Sequence, residues 1–257
     1  MKLFSAMELG NAIEQTPPKN SGNRVDKYSG TPSTGLFWVK RFRSSNPQGF
    51  VYQAIGTLLA QACGAAVPKS FGYFLDPDCG GYADKCWVSS DAGSILRINE
   101  RKMPWFADHP DLPLLAALSA LGANDDMLDL CQVEPRGLTS RLTAIDFDGW
   151  FRRHDWRESA NDVVHDVLGS FTLGFNCANS LLVLGKWRDH AYDLESVCSH
   201  VAQIRKVLDD ELGDAIFSEV NELAIVAPTE LDELKTILTS RAASLDDKIR
   251  ERYPLTQ

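Results

Sequence analysis

Leu36-Phe37-Trp38-Val39-Lys40-Arg41-Phe42 is the stretch that most limits what this chain can become. Its aromatic and β-branched residues suit a pleated, half-buried surface and predict a β-strand. Strand alternation puts Leu36, Trp38, Lys40 and Phe42 on one face. A lysine among three apolar side chains leaves two readings. Either its stem snorkels at the rim of a sheet, or its ammonium is there to hold a ligand.

The segments on either side extend the pattern. Ala12–Thr16 and Arg24–Tyr28 read as strands. The polar stretch Pro17-Pro18-Lys19-Asn20-Ser21-Gly22-Asn23 reads as the loop between them, and the Ser, Thr, Gly and Pro of Ser29–Gly35 as a turn. After the lysine strand a helix is predicted. Asn46 is placed to cap it and Pro47 fits its first position. Phe50, Ala54, Ile55, Leu58, Leu59 and Ala62 recur at helical spacing, and Gly64 sits just past the end. Ser70–Leu75 and Lys85–Ser90 read as two further strands, with an irregular loop between them.

Farther on, residues 91–110 read as irregular and Asp111–Leu121 as a short apolar helix closed by Gly122. An acidic loop follows, with Asn124, Asp125, Asp126 and Asp129. Leu142–Ile145 then reads as a short buried strand that delivers Asp146 to its end and turns at Asp148-Gly149. From Trp156 onward the chain reads as helical. Leu194, Val197, Val201, Ile204 and Leu208 form one apolar stripe; Leu231, Leu234, Ile237, Leu238, Leu245 and Ile249 form another. The last helix is expected to start at Pro228-Thr229-Glu230, capped by Thr229. This is an α+β layout. Residues 1–90 form a β-rich lobe with one helix, and residues 91–257 a mostly helical lobe.

Charge and cysteine usage narrow the function classes. A net charge of −9 argues against a dedicated nucleic-acid binder or a membrane-surface protein. The six cysteines make no C-x-x-C pair and no zinc spacing, and several sit in apolar runs as small buried hydrophobes do. A reducing, cytoplasmic compartment is expected. The N-terminus has no long apolar segment of signal-peptide type, and the longest apolar run, Ser180–Gly185, is too short to cross a bilayer.

The order of the charged groups points to chemistry. A lysine on a third strand, an acidic loop, and an aspartate roughly twenty residues later are the parts phosphoryl transfer needs. These are a cation for the phosphates, a carboxylate near the attacking hydroxyl, and a carboxylate for magnesium. Several stretches also resemble the HipA-like kinases, a bacterial branch with the two-lobe protein-kinase fold. Phe37–Phe42 resembles the strand with the nucleotide lysine. Asn46-Pro47-Gln48-Gly49 is similar to that family's Asn-x-Gln-Gly helix start, and Gly64-Ala65-Ala66-Val67-Pro68 to its Gly-x-x-Val-Pro helix exit. Asn124-Asp125-Asp126 resembles the catalytic loop, Ile145-Asp146-Phe147 the metal-aspartate segment, and Leu238-Thr239-Ser240-Arg241 with Leu245 a terminal helix.

The resemblance implies ATP and Mg2+ as cofactors. Lys40 would hold the phosphates and Asp126 would position or deprotonate the acceptor. Asp146 would bind magnesium. Ser21 and Gly22 would belong to the loop over the phosphates, with Ser29–Gly35 as the competing stretch and a plain surface loop as the third reading. The target implied is a Ser or Thr hydroxyl of a protein, with a partner protein of toxin–antitoxin type as a further implication. Three positions depart from the pattern. No Asp or Glu occurs from Arg41 to Leu75, and Gln53 stands where a helix glutamate would face the lysine; an amide orients Lys40 by a hydrogen bond but adds no charge. Cys131 stands where a metal-binding Asn is usual, and a thiol is a poor magnesium ligand. Asp129, Gln132 or a missing second ion are the alternatives there. Asp148 replaces a Gly and is either a second metal ligand or part of an Asp-Gly turn. These departures make a pseudokinase, binding nucleotide or a partner without turnover, the alternative function; an acidic interaction protein without a nucleotide site is the third.

Overall fold

The strands β1 (Lys2–Phe4), β2 (Ala12–Thr16), β3 (Arg24–Tyr28), β4 (Phe37–Arg41), β5 (Phe71–Leu75) and β6 (Lys85–Ser90) form one mixed sheet in the order β1-β5-β6-β4-β3-β2. The structure is a computed structural model that describes residues 1–16, 23–45, 47–77, 80–97, 109–122, 129–132, 140–149 and 191–252. β1 runs parallel to β5; the other neighbours are antiparallel. β1 and the four-residue helix α1 (Ala6–Leu9) are too short to show a period in the sequence. α1 is held instead by a capping box, in which Ser5 Oγ accepts from Glu8 N–H and the Glu8 carboxylate from Ser5 N–H.

The predicted alternation in β4 decides what each face does. Phe37 and Val39 point to one side and join Cys86, Val88, Phe4 and Leu9 in a small core. Trp38, Lys40 and the following Phe42 belong to the other side, where Phe42 and Trp87 pack edge-on against Phe50. Phe50 lies on α2 (Gln48–Ala62), which covers this face. Lys40 therefore looks toward α2.

α2 starts one residue later than the cap prediction implies. Pro47 occupies the N-cap in helical conformation with no side-chain bond to the helix, and Asn46 lies outside the described residues. Its C-terminal end follows prediction. Gly64 takes φ +84°, with Gly64 N–H bonded to the Gln61 carbonyl and Ala65 N–H to the Ala60 carbonyl. That double bond pattern needs a left-handed residue, and glycine takes it without a Cβ penalty.

α3 (Leu112–Gly122) is buried along nearly its whole length, which accounts for its apolar residues on every side. α4 (Ala191–Asp209), α5 (Glu211–Asn221) and α6 (Pro228–Arg252) pack with α2 and α3 into one continuous core. The described members of both predicted stripes point inward, apart from Ile237: Val197, Val201, Ile204 and Leu208 of α4, and Leu231, Leu234, Leu238, Leu245 and Ile249 of α6, are buried, and the Leu194 side chain lies outside what is described. Ile237 is only partly buried.

Three local expectations are corrected. α6 begins at Pro228, so Thr229 lies inside it; the Glu230 carboxylate reaches back to Ala227 N–H at 3.1 Å and serves the open donor instead. Leu142–Ile145 makes a single parallel bridge among the described residues, Thr143 to Ala66, and is not a strand of either sheet. Within the segments read as irregular or loop, β7 (Ser94–Arg97) and β8 (Asp129–Gln132) pair antiparallel. Four residues each are too few for alternation to register without the partner. No described helix is long and apolar enough to cross a membrane.

Cys63, Cys86 and Cys198 are buried and not joined in disulfides. Burial pushes the Cys63 thiol up to about 12. Burial, followed by the hydrogen bond and charge of Asp246, does the same for Cys198. At pH 8 the thiolate fraction then falls from roughly a quarter, for an ordinary cysteine, to about one in ten thousand. Iodoacetamide at pH 8 is expected to label these two positions at least about a hundredfold more slowly in the native chain than in urea. Equal rates by peptide mass spectrometry would contradict the burial.

Candidate functional site

The site is assembled by anchoring residues 140–149 to the body of the chain. His109 takes the Asp111 N–H on Nδ1, so its Nε2 carries the proton and donates to the Ser140 carbonyl at 2.8 Å. Arg141 Nε spans both oxygens of Asp111 at 2.9 and 3.0 Å, and its Nη2 donates to the Gly64 carbonyl. Leu142 N–H donates to Asp111 at 2.8 Å, and Ala144 N–H to the Ala66 carbonyl at 2.7 Å. The segment is thus tied to the start of α3 and to the exit of α2. Leu142, Ala144 and Phe147 are buried completely.

At Asp146 the backbone turns through φ +65°, a region that aspartate enters more easily than most residues. The turn leads into a short 3₁₀ helix, Phe147–Gly149, packed on α2. The packing is close because of Gly56: a Cβ built there would lie 2.5 Å from the Phe147 Cβ. Gly49, Gln53 and Gly56 share one face of α2 by their spacing.

Lys40 meets this loop. Its Nζ donates to Asp146 Oδ1 at 2.7 Å, across 106 residues of sequence, and also to Asp148 Oδ1 in a short bond. Burial works against the ammonium, but the charges and hydrogen bonds of Asp146 and Asp148 outweigh it and raise the lysine above its ordinary value. Asp148 also accepts from Asn23 Nδ2 at 3.0 Å, and its N–H donates to Gln53 Oε1 at 3.3 Å. Gln53 is completed by Thr57, to which its Nε2 donates at 3.1 Å.

The chain matches no protein-family model and no curated protein.

Lys40, Gln53, Asp146 and Asp148, four of the residues singled out from the sequence, come together. Gln53 does so differently from expectation. Its two amide ends bond the Asp148 backbone and Thr57, so it touches the lysine's partner rather than the lysine. Asp126, Ser21 and Gly22 lie outside the described residues. The backbones of Asp129 and Cys131 are in β8, opposite Arg97 and Ile95, and their side chains fall outside what is described.

Sequence reasoning missed Asn23, Thr57 and Gly56. Asn23 ends the polar stretch that precedes β3. Gly56 and Thr57 had a readable signal, the Gly-x3-Gln-x2-Gly-Thr spacing on one helix, but only a docked loop explains it. Arg241, also fully buried, donates to the Leu121 carbonyl near the end of α3 at 3.4 Å.

For a metal ion, Asp146 and Asp148 differ. The Asp146 side chain is 40 % exposed, whereas that of Asp148 is 1 % exposed with both oxygens engaged. Among the described residues no cluster of three His, Cys, Asp or Glu side chains could hold a metal alone. Magnesium commonly uses one or two carboxylates together with substrate phosphates, and Asp146 suits that use.

Proposed function

We propose that the chain is an ATP-dependent phosphotransferase of HipA-like kinase type with a protein-kinase-like fold. The favoured acceptor is a Ser or Thr hydroxyl of a protein. The observation that carries this is the Lys40–Asp146 pair: a strand lysine and a loop aspartate far apart in sequence, joined at 2.7 Å between the sheet and the helical part. Lys40 holds the phosphates, and its high pKa keeps it charged at any physiological pH. Asp146 holds magnesium, which when bound neutralises phosphate charge. Asp126 accepts or orients the proton of the attacking hydroxyl.

The second reading is a pseudokinase. It is favoured by α2, which carries no acid, and by the engagement of Lys40 with two carboxylates that a nucleotide must share. Melting with ATP and magnesium addresses both readings. A rise that requires magnesium is expected, of a few degrees at saturating ligand; no change with either would remove both. Labelled-ATP autophosphorylation then separates them. Signal in the wild type and its loss, by at least about a hundredfold, in Asp126→Ala and Asp146→Ala is the kinase result. Binding without signal in any of the three is the pseudokinase result.

A further inference from the structure

Two carboxylates on one lysine invite the question of what each is for. Their environments separate them. The Asp148 side chain is 1 % exposed, and its two carboxylate oxygens and its N–H are each committed. Its Oδ1 accepts from Lys40, its Oδ2 from Asn23 at 3.0 Å, and its N–H donates to Gln53 at 3.3 Å. Asp146 is 40 % exposed and meets the same ammonium from the open side. Lys40 itself is only 12 % exposed, and a cation that deep needs a desolvated anion beside it. α2, the helix facing it, offers none: Gln48–Ala62 contains no acid. We infer that Asp148 is the positioning residue that orients Lys40 for its ligand, standing in for an acid missing from α2, and that Asp146, the exposed one of the two, is the carboxylate that meets a metal–phosphate ligand.

Gln53 fits this division. As an amide it accepts the Asp148 N–H and so holds the 3₁₀ turn on which the carboxylate is carried. A glutamate there would keep an acceptor for that N–H and bring a negative charge to the neighbourhood of Lys40. The inference predicts that charge lost at 148 is replaceable at 53.

Two measurements on the full chain test it. The first needs no nucleotide, so it stands whether or not the kinase reading does. In double-mutant cycles on urea unfolding, Lys40→Met with Asp148→Asn is expected to show a coupling of at least about tenfold in the unfolding constant, and Lys40→Met with Asp146→Asn no more than about threefold, because the exposed partner is screened. Equal couplings, or the larger one at Asp146, overturn the inference. Where Asp148→Asn alone does not fold, recovery of folding by Lys40→Met reads the same coupling, and no recovery counts against it.

The second measurement rests on the kinase reading. ATP affinity is measured with and without magnesium. Asp148→Asn should weaken both about tenfold and leave their ratio unchanged, and adding Gln53→Glu should bring both back to within about threefold of wild type. Asp146→Asn should instead collapse the ratio toward one. A collapsed ratio in Asp148→Asn, or no rescue by Gln53→Glu, overturns the positioning role. A wild type that binds no ATP removes the kinase reading, and the ligand-free cycles then decide the inference.

Discussion

Asp26→Ala is expected to destabilise this chain by about 2–4 kcal/mol, the cost of taking from a buried guanidinium one of the two carboxylates that hold it. Asp26 is 1 % exposed and sits on β3, pointing away from Lys40. Its Oδ2 accepts from Arg41 Nε at 3.0 Å and its Oδ1 from Arg24 Nε at 2.8 Å. Arg41, 5 % exposed, also donates to Asp76, to the Cys86 sulfur at 3.2 Å and to the Tyr28 hydroxyl at 3.1 Å. Burial opposes its charge, but Cys86, Asp26 and Asp76 hold its pKa above the ordinary arginine value. The guanidinium cannot lose its proton to escape an apolar site, so the loss of Asp26 falls on the folded state.

Asp26→Asn keeps an acceptor and should cost less. A joint replacement of Asp26 and Arg41 by apolar residues of similar volume should recover much of the loss. Urea denaturation checks the order, and a change below about 1 kcal/mol for Asp26→Ala would refute the network's weight. Because Asp26 and Lys40 lie on opposite faces of the sheet, any ligand affinity should follow only the folded fraction.

Phe147→Ala is the second large effect, expected at about 3–5 kcal/mol for an aromatic ring removed from a closed core. Phe147 has no exposure and fills the space that Gly56 leaves open on α2. It stands between Asp146 and Asp148, so the ring that stabilises the fold also fixes the two carboxylates against Lys40. The variant should lose the Lys40 couplings as well as stability. Phe147→Leu, which still fills most of the space, should keep the couplings and lose less. Phe147→Ala within about 1 kcal/mol of wild type would mean that the loop is not anchored by its ring.

Much of the scaffold was legible because it is local. Val39 and Lys40 face opposite ways by strand alternation alone, and the two faces of the sheet are packed as that alternation requires. Of the helical repeat on α2, Phe50, Ala54, Ile55 and Leu59 are buried and Leu58 and Ala62 partly so; Val51, Gln53, Gly56, Thr57 and Ala60 are buried as well, which the repeat alone does not mark. Gly64 marks its end, since the closing turn needs positive φ. What stayed hidden was short or contingent. β7 and β8 are strands only because each finds the other. Ala227 caps α6 although it has no capping side chain, because Glu230 reaches back to it.

The site divides in the same way. Sequence by itself determined that a strand lysine shares a face with apolar residues, that the following helix has no acid to offer it, and that Asp146 and Asp148 flank a bulky ring. Each of these depends on residues within one or two turns or strand repeats of one another. Only the tertiary structure decided that Lys40 takes both carboxylates, that Gln53 serves the Asp148 backbone rather than the lysine, and that one acid is sealed while the other stays open. The physical reason is distance along the chain. An ion pair across 106 residues depends on how closely the 3₁₀ turn packs against α2, and that closeness is set by the missing side chain of Gly56 and by the ring of Phe147.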